Sequence, residues 1–278
     1  MAGKEPGFNA RPRPTGPGQA GADSRRINRR RFLRSGLIAT GALATALYVR
    51  PEITTIGVPK AFAAMSPPPE VTPAHRPSIC VDFDESLVHQ GDVITHQYAT
   101  YGFQVSTQTY WGFSNPHHPA VIFNTASPTG GDQDLGTPNV AFGGPGMGAG
   151  GGPGPGANQF PQGQVLIIHE GWTPLGATWV NSPDDHASGG RLVFTFNTPV
   201  TVTAVQLLNI DDNPGYGNRV RTYSAPLGGL QLFDQMVPSL GGNSFQTVSL
   251  NDNPTVRRLE VILRGGGAVA RLCYQLPW

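Results

Sequence analysis

The chain has 278 residues, 38% of them hydrophobic and only 13% charged, with 37 Gly and 27 Pro. Charged residues stand at about half their usual share of roughly 25%, which excludes a coiled coil, a helical bundle and a highly charged disordered chain. The formal net charge of +1 joins two unlike parts. Residues 1–63 carry eleven Lys and Arg against three acids; residues 64–278 carry eight Arg against fifteen acids, and no lysine follows Lys60. A basic arm of this kind marks a targeting segment or a nucleic-acid-binding tail. The apolar run that follows it favours targeting, and the net −7 of residues 64–278 repels phosphate, which disfavours nucleic acid as a partner.

Asn28-Arg29-Arg30-Arg31-Phe32-Leu33-Arg34 resembles the twin-arginine export signal, with Arg29 and Arg30 as the pair and Phe32 and Leu33 as its apolar positions. The 15 residues 35–49 are mildly apolar. They fall short of the roughly 20 that span a bilayer and suit the h-region of a signal peptide. Ala61-Phe62-Ala63 offers a small-x-small cleavage site, with Ala61 and Ala63 as the small residues. The site lies far from the apolar run, so an uncleaved anchor is the alternative, and the membrane is then met only through the leader. The resemblance implies a twin-arginine translocase as partner, passage in the folded state, and a location outside the cytoplasm: extracellular, at the cell surface or in the periplasm. We therefore read 1–63 as leader, 64–77 as a proline-rich extended spacer and 78–278 as one domain.

From Ser78 on, the dominant side-chain period is two. Ile79, Val81 and Phe83 alternate with Cys80, Asp82 and Asp84; Phe103 and Val105 open a second strand, and 110–113 reads as its continuation. Residues 120–123 and 165–168 are short unbroken apolar runs, as expected of strands buried on both faces. Further strands are read at 192–196, 199–210, 259–263 and 270–276; only 93–101 is open to a short helix. About ten strands punctuated by Gly, Pro, Asn and Asp predict an all-β, two-sheet antiparallel sandwich of jelly-roll type. Residues 143–156 hold nine Gly and three Pro. They have no collagen period and no phosphate-loop lysine, and read as a flexible insertion.

Cys80 and Cys273 are the only cysteines. Both lie off the apolar phase of the first and last strands, which are commonly neighbours in such a sandwich. Their side chains then leave on the same face, which predicts a disulfide; two buried thiols are the alternative.

Acids gather in turn-rich segments: Asp82, Asp84 and Glu85; Asp132 and Asp134; Asp184 and Asp185 beside His186; and Asp211 and Asp212. Each is open to two readings, a turn former or an oxygen ligand for calcium. The candidate metal set is Asp132 and Asp134, joined by Glu170 and by Asp184 or Asp185. No twelve-residue calcium loop and no His-Glu-x-x-His zinc motif occurs. The adjacent His117 and His118 lie between prolines and read as loop residues. No catalytic residue is assigned: Gly-x-Ser-x-Gly is absent, and Glu170 with Asp184 or Asp185 is only formally an acid/base pair. Trp172 and Trp179 flank residues 173–178, and Tyr216 lies in another turn-rich segment. These rings suit either sugar stacking or packing over sheet edges.

Taken in order, Val81-Asp82-Phe83-Asp84, Tyr101-Gly102-Phe103, Gly131-Asp132-Gln133-Asp134, Gly163-Gln164-Val165, Pro183-Asp184-Asp185 and Gly265-Gly266-Gly267 resemble the signatures of a family of exported, mostly uncharacterised bacterial β-sandwich domains. The likeness runs through nearly all of 78–276. It departs at the 143–156 insertion and at His169, where that family usually has a small or polar residue. It implies a secreted or surface sandwich with a bound calcium, and no activity. The reading that results is a non-enzymatic exported binding module, for carbohydrate or another cell-surface polymer. A structural or adhesive envelope protein and a carboxylate-based glycan hydrolase are the alternatives. Replacing Arg29 and Arg30 together by Lys is expected to hold the chain in the cytosol, as read by fractionation of producing cells; export of the variant at the wild-type level would sink the leader assignment.

Overall fold

The computed structural model describes residues 77–210 and 217–277. The leader positions Arg29, Arg30, Phe32, Leu33, Ala61 and Ala63 lie outside the described residues, as do Tyr216, Asp211 and Asp212. The described chain is all-β, with ten strands: β1 (Ser78–Val81), β2 (Phe103–Gln108), β3 (Ala120–Asn124), β4 (Gln164–Ile168), β5 (Gly190–Leu208), β6 (Asn218–Tyr223), β7 (Gln231–Val237), β8 (Phe245–Ser249), β9 (Val256–Leu263) and β10 (Ala268–Gln275). No described helix is long and apolar enough to cross a membrane. Residues 93–101 form strand bridges and a single 3-10 turn, Ala99–Tyr101, in place of a helix.

All strand pairs are antiparallel and joined in one network, β3-β4-β10-β5-β9-β6-β7, with β1 on β10 and both β2 and β8 on β5. The reason is the length of β5. Residues 190–195 pair with β2 and β9, whereas residues 201–208 pair with β10 and β8. Between these halves Asn197, Thr198 and Pro199 are exposed, and the register shifts. Pro199 has no N–H to give to a ladder; past it β9 pairs again at Val200, opposite Val256, and from Thr201 the strand joins β10 and then β8. What the sequence suggests as two strands, 192–196 and 199–210, is thus one strand shared by two ladders, compatible with the predicted sandwich.

One core cluster draws on both ladders. Phe103 of β2 and Phe196 of β5 meet the Tyr274 ring of β10 at 6.1 and 5.3 Å, and Tyr98 stacks on Phe103 at 5.3 Å. All four rings are buried, each contributing about 1.5–3 kcal/mol relative to exposure. The β3 and β4 runs serve two cores at once. Ile122, Leu166 and Ile168 enter this cluster, while Val121, Phe123, Val165 and Ile167 enter a second one with Leu135, Leu208 and Ala268.

The first strand is shorter than its alternation suggests. It ends at Val81 because Phe83, fully buried against Tyr98, takes φ +63°, a conformation a β-strand cannot continue through. Cys80 lies directly opposite Cys273 in the β1–β10 register, and the two form a disulfide. Residues 110–113, read as strand, make a tight turn, with Thr109 N–H donating to Phe113 O at 2.7 Å and Gly112 N–H to Thr109 O at 2.8 Å.

The Gly/Pro-rich segment is tied down by three buried asparagines. Asn243 Oδ1 accepts from Asn139 Nδ2 at 2.6 Å and from Asn158 Nδ2 at 3.1 Å. Asn243 Nδ2 donates to Gly136 O at 2.6 Å and to Asp134 O at 2.8 Å. Gly150 must be glycine for this approach, since a Cβ there would lie 2.0 Å from Asn243 O. Asn243→Ala strands several buried partners and forces a left-handed φ on alanine. It is expected to cost about 3–5 kcal/mol in urea unfolding, against about 0.5 kcal/mol or less for the exposed Asn251→Ala; equal losses would refute the hub.

Candidate functional site

Two neighbouring features stand out: a carboxylate cluster and an aromatic-flanked cleft. The first is built where loops meet the ends of β4 and β10. Leu135, fully buried in the second core, anchors the turn that carries Asp132. Thr129 Oγ1 donates to Pro183 O at 2.7 Å, which ties this loop to residues 183–185. Asp185 pairs with His169 in a β-bridge just past β4. The Asp185 N–H donates to Asp132 Oδ2 at 2.8 Å, and Asp185 Oδ2 accepts from Gly267 N–H at 2.5 Å. A Cβ at Gly266 would lie 2.4 Å from Asp185 Oδ2, so only glycine admits the carboxylate this close to the β9–β10 turn.

In this way Asp132, Asp184 and Asp185 each place a carboxylate oxygen within 4.8 Å of the others. Asp134 and Glu170 stand outside that group. Asp134 Oδ2 accepts from Asn209 Nδ2 at 2.9 Å, and Glu170, which is exposed, contributes its backbone N–H to Asp184 O at 2.9 Å. The first acidic group is structural. Asp84 Oδ1 takes the Gln164 N–H at 2.7 Å, Glu85 Oε2 takes the Tyr98 hydroxyl at 3.0 Å, and Asp82 meets Arg271 at 3.4 Å.

Crowding has an electrostatic consequence. Burial, then the negative charges of Asp184 and Asp134, push the Asp132 carboxyl up to about 7, against the lowering effect of the Asp185 N–H. Burial and the charge of Asp132 push Asp185 up to about 8. Near neutrality the cluster therefore holds protons unless a cation takes their place. These three carboxylates could supply oxygen ligands to a hard cation such as calcium, which takes six to eight in all.

The second feature surrounds residues 173–178. His117 and Thr173 exchange two bonds, Thr173 N–H to His117 O at 2.9 Å and His117 Nδ1 to Thr173 O at 3.0 Å. The Trp172 ring stacks on His117 at 4.9 Å and 15°. At the other end Trp179 Nε1 donates to Gln90 O at 3.2 Å, and Val93 N–H to Thr178 O at 2.9 Å. Both indoles face solvent, 68% and 53% exposed. Between the held ends lies a cavity of about 380 Å³, lined among others by Gln97, Val105, Thr107, Ser114, Leu175 and Thr178.

On the far side of residues 109–118, Tyr110, Trp111, His118, His186 and Arg264 line a second cavity. His186 is held below the ordinary histidine range by burial and by His118, with Glu170 opposing. Sequence reasoning passed over His117 as the partner of Trp172 and Arg264 as the partner of Tyr110. The sequence signal for the first is the adjacency of His117 and His118, which send their rings to different neighbours. No protein-family model matches the chain, and no curated protein matches it.

The raised carboxyls set a pH dependence. Both bind protons in the folded state that the unfolded chain releases near 4, so their stabilisation is full below about 4 and is lost progressively until pH has risen through 7 to 8. His186 works the other way, but only below its ordinary 6.5. In chelator, unfolding free energy is expected to fall progressively from about pH 5 to about pH 8, by at most about 1.4 kcal/mol per proton per pH unit, and to level off above that, as followed by urea unfolding at each pH. Asp132→Asn keeps an acceptor for the Asp185 N–H and is expected to flatten this slope; an unchanged slope would count against the shared protons.

Proposed function

We propose that the domain is a non-enzymatic glycan-binding module of an exported protein, braced by a calcium ion at Asp132, Asp184 and Asp185. One juxtaposition carries the reading: two exposed indoles, Trp172 and Trp179, stand at the ends of the segment that lines the 380 Å³ cavity. Exposed indoles offer flat apolar faces to the C–H face of a sugar. The cavity wall adds amide and hydroxyl groups from Gln97, Thr107, Ser114 and Thr178, the mix of apolar surface and few polar groups usual in ligand sites. The stack on His117 and the bond to Gln90 hold both rings before any ligand arrives, so little ordering cost falls on binding.

The three clustered carboxylates do not line this cavity. Neither indole is in the cavity lining either; what argues for a brace rather than for acid/base chemistry is that the carboxylates of Asp132 and Asp185 accept from the backbone N–H groups of Asp185 and Gly267. Export is supported by the Cys80–Cys273 disulfide, which suits an oxidising compartment, and by the twin-arginine-like leader. The likeness to exported bacterial sandwich domains rests on the motifs quoted above.

A glycan array probed with and without chelator tests both parts. Wild-type protein is expected to bind a defined set of glycans, Trp172→Ala to weaken that binding by about tenfold, and calcium to raise the melting temperature most at pH 8, where protons no longer satisfy the carboxylates. Undiminished binding by the Trp172→Ala and Trp179→Ala variants would remove the platform; melting indifferent to calcium and chelator would remove the ion.

A further inference from the structure

The walls of the first cavity are uncharged and short of donors. Its volume of about 380 Å³ lies at the low end of ligand cavities, roughly 300–1,000 Å³, and gives room for a single sugar unit. Val93, Ile94, Val105 and Ala120, all buried, form part of its wall. Pro116, Pro119 and Pro174 line it as well and have no N–H to give. No Asp, Glu, Lys, Arg or His is among its described lining residues. A carboxylate or an ammonium entering it would shed water without meeting a counter-charge.

Much of the wall's polar capacity is spent inside the protein. Gln97 Oε1 accepts the Thr95 N–H at 2.7 Å, and Gln97 Nε2 donates to Val93 O at 2.7 Å. The Thr107 hydroxyl donates to Asn115 O at 3.0 Å and that of Thr173 to Gly171 O at 3.2 Å. Backbone donors are engaged in the same way: Ile94 N–H to Ala120 O at 2.8 Å, Val105 N–H to Thr95 O at 2.9 Å and Ala177 N–H to Pro174 O at 3.1 Å. The last of these closes a turn in which Gly176 takes φ +80°. Leu175, in that turn, lines the cavity while 69% exposed. A sugar hydroxyl buried against such a wall loses water and gains few partners. A methyl group has no such bonds to lose, and its burial is favourable; it also covers Leu175. Ser114 and Thr178 bring hydroxyls for the rest of the sugar ring.

We infer that this cavity takes the methyl group of an uncharged sugar unit, either 6-deoxy or O-methyl, so that the ligand of the module is a neutral glycan carrying such units. The inference rests on the glycan-binding reading and adds the substrate class. Residues 64–278 carry net −7, which repels polyanionic polymers and agrees with a neutral one. Selectivity then comes from what the wall withholds, charge and unspent donors, as much as from what it offers.

The test is a glycan array followed by titration calorimetry with matched sets in the gluco, galacto and manno series. Each set holds the parent hexose, its 6-deoxy form, its 3-O-methyl form and its uronate. In a series that binds, a methyl-bearing form is expected to bind about tenfold tighter than its parent, and the 6-deoxy and 3-O-methyl arms tell which methyl is buried. Leu175→Ala, at an exposed position, is expected to cut that preference about threefold. Val105→Thr, which sets a hydroxyl in the wall at nearly constant volume, is expected to cut it as well, with melting curves certifying that both variants fold. Equal affinity for the parent and both methyl-bearing forms, a uronate bound as tightly as the better of those forms, or a preference that survives both substitutions would each overturn the selectivity and leave the glycan-binding reading standing. Failure of every glycan on the array would overturn the parent reading and this one together.

Discussion

Every other feature depends on the single strand β5 having two sets of neighbours. A 19-residue strand is far longer than usual, and one ladder cannot use all of it once Pro199 removes a donor. The first half is committed to β2 and β9, the second to β10 and β8. That commitment brings Phe103, Phe196 and Tyr274 into one core. It also leaves the other edge of β10 open, where β4 pairs at Ala268–Val269 and β1 at Leu272–Gln275. The disulfide then joins Cys80 and Cys273 where the β1–β10 ladder already sets them opposite one another.

The same placement creates the acidic cluster. The end of β4 presents His169 to Asp185, and the β9–β10 turn presents Gly267 N–H to the Asp185 carboxylate. Backbone donors draw a carboxylate in, burial and two neighbouring acids then oppose its charge, and the conflict is resolved by protons or by a cation. Such a conflict is costly to keep as a mere turn former, since an exposed Asp caps a turn as well without it. Nearby, the Asn139, Asn158 and Asn243 network solves a different problem. Glycine-rich backbone has many polar groups and no side chains to bury, so its order has to come from hydrogen bonds, and buried amides that both donate and accept provide them.

Legibility in the sequence followed the apolar content of the inward positions. β2, β9 and β10 alternate visibly, and the double-faced runs of β3 and β4 were readable as such. β6 hides because its buried positions are Asn218, Val220 and Thr222, and β7 because, as the end of the network, it buries only Val237. The extension of β1 through Phe83 failed on a backbone angle that no side-chain pattern reports. The disulfide was legible because phase and strand order agreed. In the acidic set, Asp132, Asp184 and Asp185 converge while Asp134 turns to Asn209 and Glu170 to solvent; that sorting depends on loop closure across distant segments. The pairing of Arg264 with Tyr110 is of the same kind.

The two cavities share a wall, and the wall is ordered from both sides. His117 is bonded and stacked to the 172–173 corner, His118 is bonded to the end of β4 at His169, and Arg191 Nε holds Tyr110 O at 2.9 Å while its guanidinium reaches the buried Glu260 at 3.1 Å. Loops that carry binding groups usually lose entropy when a ligand orders them. Here that loss is taken at folding, offset by bonds to the sheet.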